Sequence, residues 1–326
     1  MINIFLLCCG VFLLSALLTW VIKYYAIRQA ILDHPNERSS HTLPTPRGGG
    51  LAIVITFYIG AGLLYSKGLL DPKLFYAFCS AFPLLVVSLL DDLYTLGSKI
   101  RLIAQLLSSI LALYALGGIS TISLSFIELN GWWLAFPIVL AMIWLINLYN
   151  FLDGIDGYAG SEAIFLGFAV AILFGYDIGY LIALSVLGFL LFNWQKAKIF
   201  MGDIGSTFLG FIFAVLLIDS LNHHIPLYSW LILLGLFWVD ATLTLIRRAK
   251  KHEKLSQAHR KHAYQRITQA GWSHQKTVLI GMGINIIGTI PLFWLLSSPY
   301  ELPYSVIYIL GLYLVIRLID KRTPFS

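Results

Sequence analysis

Long apolar stretches alternate with short polar connections along the whole chain. A helix needs roughly 17 to 25 mostly apolar residues to cross the hydrocarbon layer of a bilayer. Eleven stretches approach this length, at 2–24, 48–66, 73–90, 100–118, 132–149, 158–175, 178–194, 204–221, 227–246, 277–297 and 303–319. The pattern therefore predicts an all-α polytopic membrane protein with about eleven transmembrane helices.

The composition supports this prediction, because 59% of the residues are hydrophobic and only 12% are charged, far from the averages of soluble proteins. The connections are too short for a soluble domain, so we expect a single domain over 1–326. Cys8, Cys9 and Cys79 all lie in predicted spans. A thiol there behaves as a small apolar group, and neither a disulfide framework nor a zinc site is expected.

Positive charges indicate the orientation, since Lys and Arg concentrate on the cytoplasmic side of short loops. If the N-terminus is outside and the C-terminus inside, 20 of the 22 Lys and Arg residues lie on the inner side, and only Lys67 and Lys73 lie outside. The net charge of +6 then reflects anionic lipid and phosphate at the inner face. No segment has the pattern of a nucleic-acid-binding module.

Acidic and amide residues cluster at the inner ends of the predicted spans. Asp91 and Asp92 end the third span, and two adjacent carboxylates at a membrane boundary repel each other unless a cation or a proton compensates. Such a pair suits Mg²⁺ or a coupled base better than it suits a simple marker of the interface. Gly48 to Gly50, which open the second span, favour equally a structural turn and a close approach of backbone or anion.

The densest polar motif runs from Asn147 to Asp156, with oxygen-bearing side chains at Asn147, Asn150, Asp153 and Asp156. One straight helix would spread these four side chains over opposite faces. The glycines in the motif predict that the helix ends there, so that the two amides project from its last turns and the two acids follow in the loop. Hard oxygen ligands of this kind suit Mg²⁺ held jointly with substrate phosphates.

Two further segments complete the inner face. Asp203, between two glycines, opens the eighth span at a helix N-terminus that can receive phosphate. The basic loop 247–276 contains His259, Arg260 and His262, which we interpret as a diphosphate clamp, with a lipid-facing amphipathic helix as the alternative. We expect the active site to be formed by the inner loops near 25–47, 91–99, 150–157, 195–203 and 247–276.

The order of these motifs resembles the polyprenyl-phosphate N-acetylhexosamine-1-phosphate transferase family, glycosyltransferase family 4. It includes phospho-N-acetylmuramoyl-pentapeptide transferase and the enzymes that start O-antigen, enterobacterial common antigen and teichoic acid chains. The resemblance rests on four motifs in the same order: Asp91-Asp92 with Lys99 and Arg101, Asn147 to Gly157, Phe200 to Ser206, and the His-containing loop. It implies transfer of a sugar 1-phosphate from a UDP-sugar to undecaprenyl phosphate, releasing UMP, on the cytoplasmic face of a bacterial inner membrane, with a periplasmic N-terminus.

The resemblance also implies roles for individual residues. Asp203 and Asn150 would be ligands of Mg²⁺, for which Mn²⁺ is a candidate substitute. Asp91 and Asp92 would be the acidic pair near the attacking lipid phosphate, and together with Asp203 they would be the catalytic residues. Asp153 and Asp156 would lie near the nucleotide. Substrate binding would involve Asn147, Asp153, Asp156, Lys99, Arg101, His259, Arg260 and His262. Direct transfer and a covalent phospho-enzyme both remain open at this point.

The chain departs from the family pattern in the last large loop, where many members carry His-x-His-His and only His262 matches here. The form of this loop and of the Arg-Ser-Ser-His segment is closest to the O-antigen-initiating branch. Two other classes are retained as alternatives: a polytopic transporter of nucleotide sugars or metal, and an isoprenoid-type membrane transferase. Membrane lipid is an expected partner, and a homodimer is one assembly we consider.

Overall fold

In the computed structural model, the described residues are 4–33, 35, 43–94, 96–119, 121–124, 127–254 and 259–325. The described residues are mostly helical, which agrees with the predicted all-α class. Two short antiparallel strand pairs, which the hydropathy pattern does not predict, lie in the connections. The first of them, β1 with β2, lies in the predicted inner loop 25–47, whose Arg38 is outside the described residues.

The described helices are α1 (Ile4–Arg28), α2 (Gly50–Ser66), α3 (Pro72–Cys79), α4 (Phe82–Tyr94), α5 (Ser98–Ala115), α6 (Ala135–Leu152), α7 (Tyr158–Phe174), α8 (Ile178–Asn193), α9 (Asp203–Asn222), α10 (Leu227–Leu233), α11 (Gly235–Lys250), α12 (Ala263–Gln269), α13 (His274–Thr289), α14 (Leu292–Leu295) and α15 (Glu301–Arg322). A short 3₁₀ helix, Trp132–Leu134, precedes α6. The strands are β1 (Leu32–Asp33), β2 (Thr45–Pro46), β3 (Thr121–Leu124) and β4 (Ile127–Asn130).

Each of the eleven predicted apolar segments coincides with one helix or with two consecutive helices. Over the described residues, seven helical segments are long and apolar enough to cross a membrane, and the bent pair α10 and α11 would make an eighth. Helices α2, α7 and α8 are apolar but shorter than the other spans. The chain is therefore a multi-pass membrane protein, while eleven crossings and their orientation remain predictions.

Helix α9 lies at the centre of the bundle. It is apolar on all sides, and 94% of its most apolar 18-residue stretch is buried, as expected for a helix surrounded by others. It packs against α6, α4 and α2. The backbones of α2 and α9 meet at Gly50 and Gly205, where a Cβ on Gly50 would lie 2.3 Å from the Gly205 Cα. This confirms the close backbone approach considered for the Gly48 to Gly50 segment.

One predicted span is sharply bent, and others consist of two consecutive helices that together form one membrane-long segment. The segment predicted at 73–90 consists of α3 and α4, and Pro83, which cannot donate a backbone hydrogen bond, lies in the first turn of α4. The segment predicted at 227–246 bends by 83° between α10 and α11. At this bend Gly235 leaves room for Tyr308 of α15, whose Cε1 would lie 2.6 Å from an added Cβ.

The connection before α2 is bound to the connection before α9. The Phe200 N–H donates to the Pro46 carbonyl at 2.8 Å, and the Gly49 N–H donates to the Phe200 carbonyl at 2.9 Å. These bonds continue the backbone contact between α2 and α9 beyond the helices. They hold Arg47 beside the first turn of α9.

Candidate active site

Asp92 caps the N-terminus of α9, although it belongs to α4. Its carboxylate accepts the backbone N–H groups of Asp203 at 2.8 Å and Ile204 at 3.1 Å. The residue before the helix, Gly202, has a φ of +77° and no side chain to cap it, and a Cβ there would lie 2.5 Å from the Asp92 carboxylate. The helix dipole favours a negative charge such as the Asp92 carboxylate at these N–H groups, which have no partner within the helix. Asp203 is thus the first residue of α9 and not its cap.

Two arginines join the three acids into one cluster. Arg101 Nη1 lies 3.2 Å from an oxygen of Asp91 and 3.2 Å from an oxygen of Asp203. Arg47 lies 3.4 Å from Asp92 and 3.8 Å from Asp203. Burial by itself would lower the pKa of the Arg47 guanidinium, but the carboxylates of Asp92 and Asp203 raise it, so the side chain stays charged.

The structure places Asp91 and Asp92 inside the last turn of α4, not in a loop starting at residue 91. On a helix, neighbouring side chains point about 100° apart, so the two carboxylates have different partners. Asp91 accepts from Arg101 and from the Leu96 N–H, and it interacts directly with the Asp203 carboxyl group. The close acid pair is therefore Asp91 with Asp203, rather than Asp91 with Asp92.

The amides of α6 face α5 and α9. Asn147 and Gln105 of α5 exchange two hydrogen bonds, at 2.7 and 3.2 Å. Asn150 donates to the Ser206 hydroxyl of α9 at 3.1 Å. Helix α6 ends at Leu152, so the prediction that Asn147 and Asn150 lie on its last turns while Asp153 and Asp156 follow it is confirmed.

The two acids of the following loop have different environments. Burial, together with the charge of Asp203, raises the pKa of Asp153 to about 7, against an opposing effect of Arg47. Asp156 instead accepts the Ala197 N–H at 3.2 Å and lies 3.3 Å from the His274 Nδ1. Asp153 is thus electrostatically part of the acid cluster, whereas Asp156 joins the loop to the segment before α9 and to the start of α13.

The basic loop is anchored by a buried acid of α11. Asp240 accepts the N–H groups of Ala263 at 2.8 Å and Tyr264 at 3.3 Å, and so caps α12. The Nδ1 of His262 lies 3.8 Å from the same carboxylate, beyond hydrogen-bonding distance. Burial and the neighbouring His262 lower the pKa of His259 to about 4, so its imidazole is neutral near pH 7. Helix α12 starts only at Ala263, so His259 to His262 precede it and do not lie along an amphipathic helix.

Several of these side chains line one cavity of about 490 Å³. Its polar lining consists of Ser88, Ser98, Lys99, Arg101, Gln105, Asn147, Asn150, Asp203, Thr207, His259 and His262. Its apolar lining consists of Leu84, Val87, Leu102 and Phe151. Seven of the residues singled out in the sequence are therefore brought together: Lys99, Arg101, Asn147, Asn150, Asp203, His259 and His262. Asp91 and Asp92 do not line the cavity but contact residues that do, since Asp91 pairs with Arg101 and Asp92 accepts the Asp203 N–H. The described lining also does not include Asp153, Asp156 or Arg260.

The donor set can be compared with what Mg²⁺ requires. No group of three or more His, Cys, Asp or Glu side chains that could hold a metal occurs among the described residues. Asp203 and Asn150 do share the cavity wall, and Asn150 uses its amide nitrogen for Ser206, which leaves the amide oxygen for another partner. Two hard oxygen ligands fit an Mg²⁺ that takes its remaining ligands from substrate phosphates and water, not one held by protein alone.

Several residues of the site were not identified from the sequence. Gln105 lies one helical turn after Arg101 on α5, and this spacing could have placed it on the same face. Asp240 interrupts an apolar span, where an ionisable residue points to a function. Arg47 is one of many cations on the predicted inner side, and its charge alone does not distinguish it from the others. His274 carried no sequence signal that distinguishes it from an ordinary loop histidine.

Comparison with known proteins relates this chain to one family of transferases. Residues 74–221 match the model of the family described as glycosyl transferase family 4. A probable undecaprenyl-phosphate N-acetylglucosaminyl 1-phosphate transferase of Bacillus subtilis (strain 168) is 32% identical over 92% of this chain and 87% of its own length. A decaprenyl-phosphate N-acetylglucosaminephosphotransferase of Mycolicibacterium smegmatis is 27% identical over 94% and 84%, respectively. An undecaprenyl-phosphate alpha-N-acetylglucosaminyl 1-phosphate transferase of Escherichia coli (strain K12) is 25% identical over 86% and 81%.

Proposed function

Because the chain belongs to the polyprenyl-phosphate hexosamine-1-phosphate transferases of glycosyl transferase family 4, we propose that it transfers an N-acetylhexosamine 1-phosphate from a UDP-sugar to undecaprenyl phosphate. An oxygen of the lipid phosphate forms a bond to the sugar-bearing phosphorus. The bond from that phosphorus to the bridging oxygen breaks, and UMP leaves. N-acetylglucosamine is the sugar we favour, because it occurs in the names of the three relatives.

The observation that carries this proposal is the lining of the 490 Å³ cavity, which combines apolar side chains with cations. Leu84, Val87 and Leu102 line its apolar part, on the membrane-spanning helices α4 and α5. Arg101 and Lys99 lie beside them on α5. A phosphate at the end of a hydrocarbon chain needs such a combination, because its oxygens require cations while its tail must stay in an apolar environment.

The reaction brings two anionic phosphates together, so most of the catalysis should come from alignment and charge compensation. Arg101 is the best-placed cation, since it lies on the cavity wall and is already held by Asp91 and Asp203. We propose that Asp203 and Asn150 hold Mg²⁺, which when bound offsets the negative charge of the donor diphosphate. The neutral His259 and the buried His262, which line the same cavity, would donate hydrogen bonds to that diphosphate.

We favour direct attack by the lipid phosphate over a covalent phospho-enzyme. Both oxygens of Asp92 accept backbone N–H groups, and only 4% of its side chain is exposed. Asp91 is held by Arg101 and the Leu96 N–H, and 9% of its side chain is exposed. A carboxylate nucleophile must reach a phosphorus atom, and neither acid can do so without giving up these bonds.

The location and pathway follow the same proposal. We place the site on the cytoplasmic face of a bacterial inner membrane, with a periplasmic N-terminus, because this arrangement puts 20 of the 22 basic residues inside. The product would be the first lipid-linked intermediate of an O-antigen or another cell-envelope polysaccharide.

The test is release of UMP by the purified protein in neutral detergent. We expect UMP only when UDP-N-acetylglucosamine, undecaprenyl phosphate and Mg²⁺ are all present. The matched control is Arg101→Gln, which removes the bridging cation while keeping a polar side chain. A preparation that binds the UDP-sugar but forms no UMP with any polyprenyl phosphate would argue against the proposed reaction.

The transporter alternative is less well supported. Secondary transporters place substrate sites near the bilayer midplane between repeats, at discontinuous helices. Here the acids and cations of the cavity lie where α4 ends and α5 and α9 begin. Uptake of the intact UDP-sugar into vesicles, without UMP formation, would be the result that favours transport.

A further inference from the structure

A second cavity, of about 560 Å³, lies between the ends of α11 and α15. Its lining consists of Arg247, Lys250, Lys251, Arg317, Asp320, Lys321, Pro324 and Phe325. It shares no lining residue with the candidate active site. Five of its eight lining residues are cationic, which makes it the more basic of the two cavities.

The lining has a regular origin in the two helices. Arg247 and Lys250 on α11, with its C-cap Lys251, have the spacing i, i+3, i+4, and Arg317, Asp320 and Lys321 on α15 repeat it. Residues at this spacing share one face of a helix. The two helices pack against each other, so two charged faces meet across the cavity.

The single acid of the cavity is already neutralised. Asp320 accepts two hydrogen bonds from Arg247, at 3.0 and 2.6 Å, and one from Arg266 at 2.8 Å. Within the part of the chain that the structure describes, no carboxylate lies within salt-bridge distance of Lys250, Lys251, Arg317 or Lys321. Positive charge without a counterion therefore converges on this space, and Lys250 and Lys321 are both exposed at its rim.

Phe325 connects this cavity to the basic loop of the candidate active site. The centre of its ring lies 5.3 Å from Arg247, 5.3 Å from Lys251, 5.7 Å from Lys261 and 5.6 Å from Arg266. The face of an aromatic ring attracts cations, but it carries no net charge and cannot neutralise four of them. Arg247 and Arg266 are paired with Asp320, and Lys261 is paired with Glu253, so the ring gathers these cations while Lys251 alone among the four has no carboxylate partner in the described part of the chain.

We infer that the cavity between α11 and α15 binds the phosphate group of an anionic phospholipid. The cavity adjoins the basic loop that contributes His259 and His262 to the candidate active site, because Phe325 contacts Lys261 and Arg266 of that loop. If that site lies at the membrane surface, lipid headgroups would lie beside this cavity as well. Its cations are mostly lysines with flexible stems, which suit a mobile headgroup more than a rigidly oriented substrate. Arg247 and Lys251 contact both the cavity and Phe325, so an occupied site would stabilise the position of Lys261 and Arg266.

The test is a binding measurement that does not depend on transferase activity. Purified full-length protein in neutral detergent is titrated with short-chain phosphatidylglycerol, and the melting temperature is followed, since a ligand that binds only the folded state raises it. Lys250→Gln with Lys321→Gln removes two exposed lining charges. Lys198→Gln with Arg322→Gln is the matched control, because it removes two exposed charges outside the lining. If the double variant does not fold, the two single lining variants serve the same comparison.

We expect the melting temperature of the wild type and of the control variant to rise and saturate at similar lipid concentrations. In the lining variant the midpoint should lie at about tenfold higher lipid concentration, because charge-assisted contacts to the phosphate are lost. Inorganic phosphate could also raise the melting temperature of the wild type as much as phosphatidylglycerol does, with a smaller effect on the lining variant. That result would support the phosphate site and assign it to a soluble anion. An equal response of the two double variants would show diffuse attraction and overturn the site, as would an equal response of the wild type to phosphatidylcholine.

Discussion

Asp92 holds Asp203 through the main chain: its carboxylate accepts the Asp203 N–H at 2.8 Å, across 111 residues of sequence. The bond fixes the first turn of α9 against the last turn of α4. The side chain of Asp203 is thereby left to meet Arg101 and the cavity. Of two acids with similar sequence signals, one positions the backbone and the other faces the proposed substrates.

The first prediction concerns this cap. Asp92→Ala should lower the stability of the protein by about 1 kcal/mol, the usual cost of losing a helix cap, and should also abolish most activity. Asp71 is a matched control, because it caps α3 in the same way by accepting the N–H groups of Lys73 and Leu74. Asp71→Ala should cost similar stability, measured by thermal unfolding in detergent, yet leave UMP release intact. Equal activity of the two variants would show that Asp92 has no role at the site.

The second prediction assigns Asp203 to the metal. Asp203→Asn preserves shape and removes charge, so we expect normal expression with kcat reduced by roughly 10² or more, the effect of removing one important electrostatic group. The dependence of UMP release on Mg²⁺ should shift to higher concentrations in this variant. A Thr207→Val variant at the same cavity wall serves as a control for packing. Near-normal turnover of Asp203→Asn would exclude it as a principal ligand.

The third prediction separates direct attack from a covalent intermediate. Without undecaprenyl phosphate, labelled UMP should not exchange into UDP-N-acetylglucosamine, because the carboxylates of Asp91 and Asp92 are engaged by Arg101 and backbone N–H groups. Exchange requires the enzyme itself to accept the sugar 1-phosphate. Measurable exchange in the absence of lipid, lost in Asp91→Asn, would instead establish a phospho-enzyme.

The fourth prediction is a pH dependence of magnesium binding. In the protein without metal, burial and Asp203 raise the pKa of Asp153 to about 7, so its carboxyl group is largely protonated below that pH. A nearby divalent cation favours the ionised form, so magnesium binding should release a proton and tighten as the pH rises from about 6 to about 8. Asp153→Asn should flatten this dependence. Magnesium titrations of both proteins across that range provide the measurement, and parallel curves would contradict the assignment.

The fifth prediction distinguishes the residues of the basic loop. His262→Ala and His259→Ala should reduce kcat/KM for the UDP-sugar in detergent by about tenfold to a hundredfold, as for the loss of directed contacts to phosphate. Arg260→Lys should have a smaller effect, because the described cavity lining includes both histidines but not Arg260. Replacing Lys250, Lys251 and Lys254 by Gln should leave the KM nearly unchanged. A large effect of Arg260→Lys alone would require the loop to rearrange on substrate binding.

Much of this architecture was determined by the sequence itself. The eleven apolar segments all correspond to helices, because a long apolar run in a membrane must satisfy its backbone hydrogen bonds internally. The end of α6 at Leu152 and the start of α9 at Asp203 were predictable from the glycines beside them. Both signals are local, so a single sequence carries them without knowledge of the packing.

Only the tertiary structure decided which acid does what. Asp91, Asp92, Asp153 and Asp156 look alike in sequence, yet they meet Arg101, the start of α9, the buried acid cluster and His274, respectively. At the bend between α10 and α11, Gly235 likewise meets Tyr308 of a distant helix. The direction of a side chain and the identity of its ion-pair partner depend on how distant helices pack. Hydropathy reports the length and polarity of a segment but not the neighbour it will face.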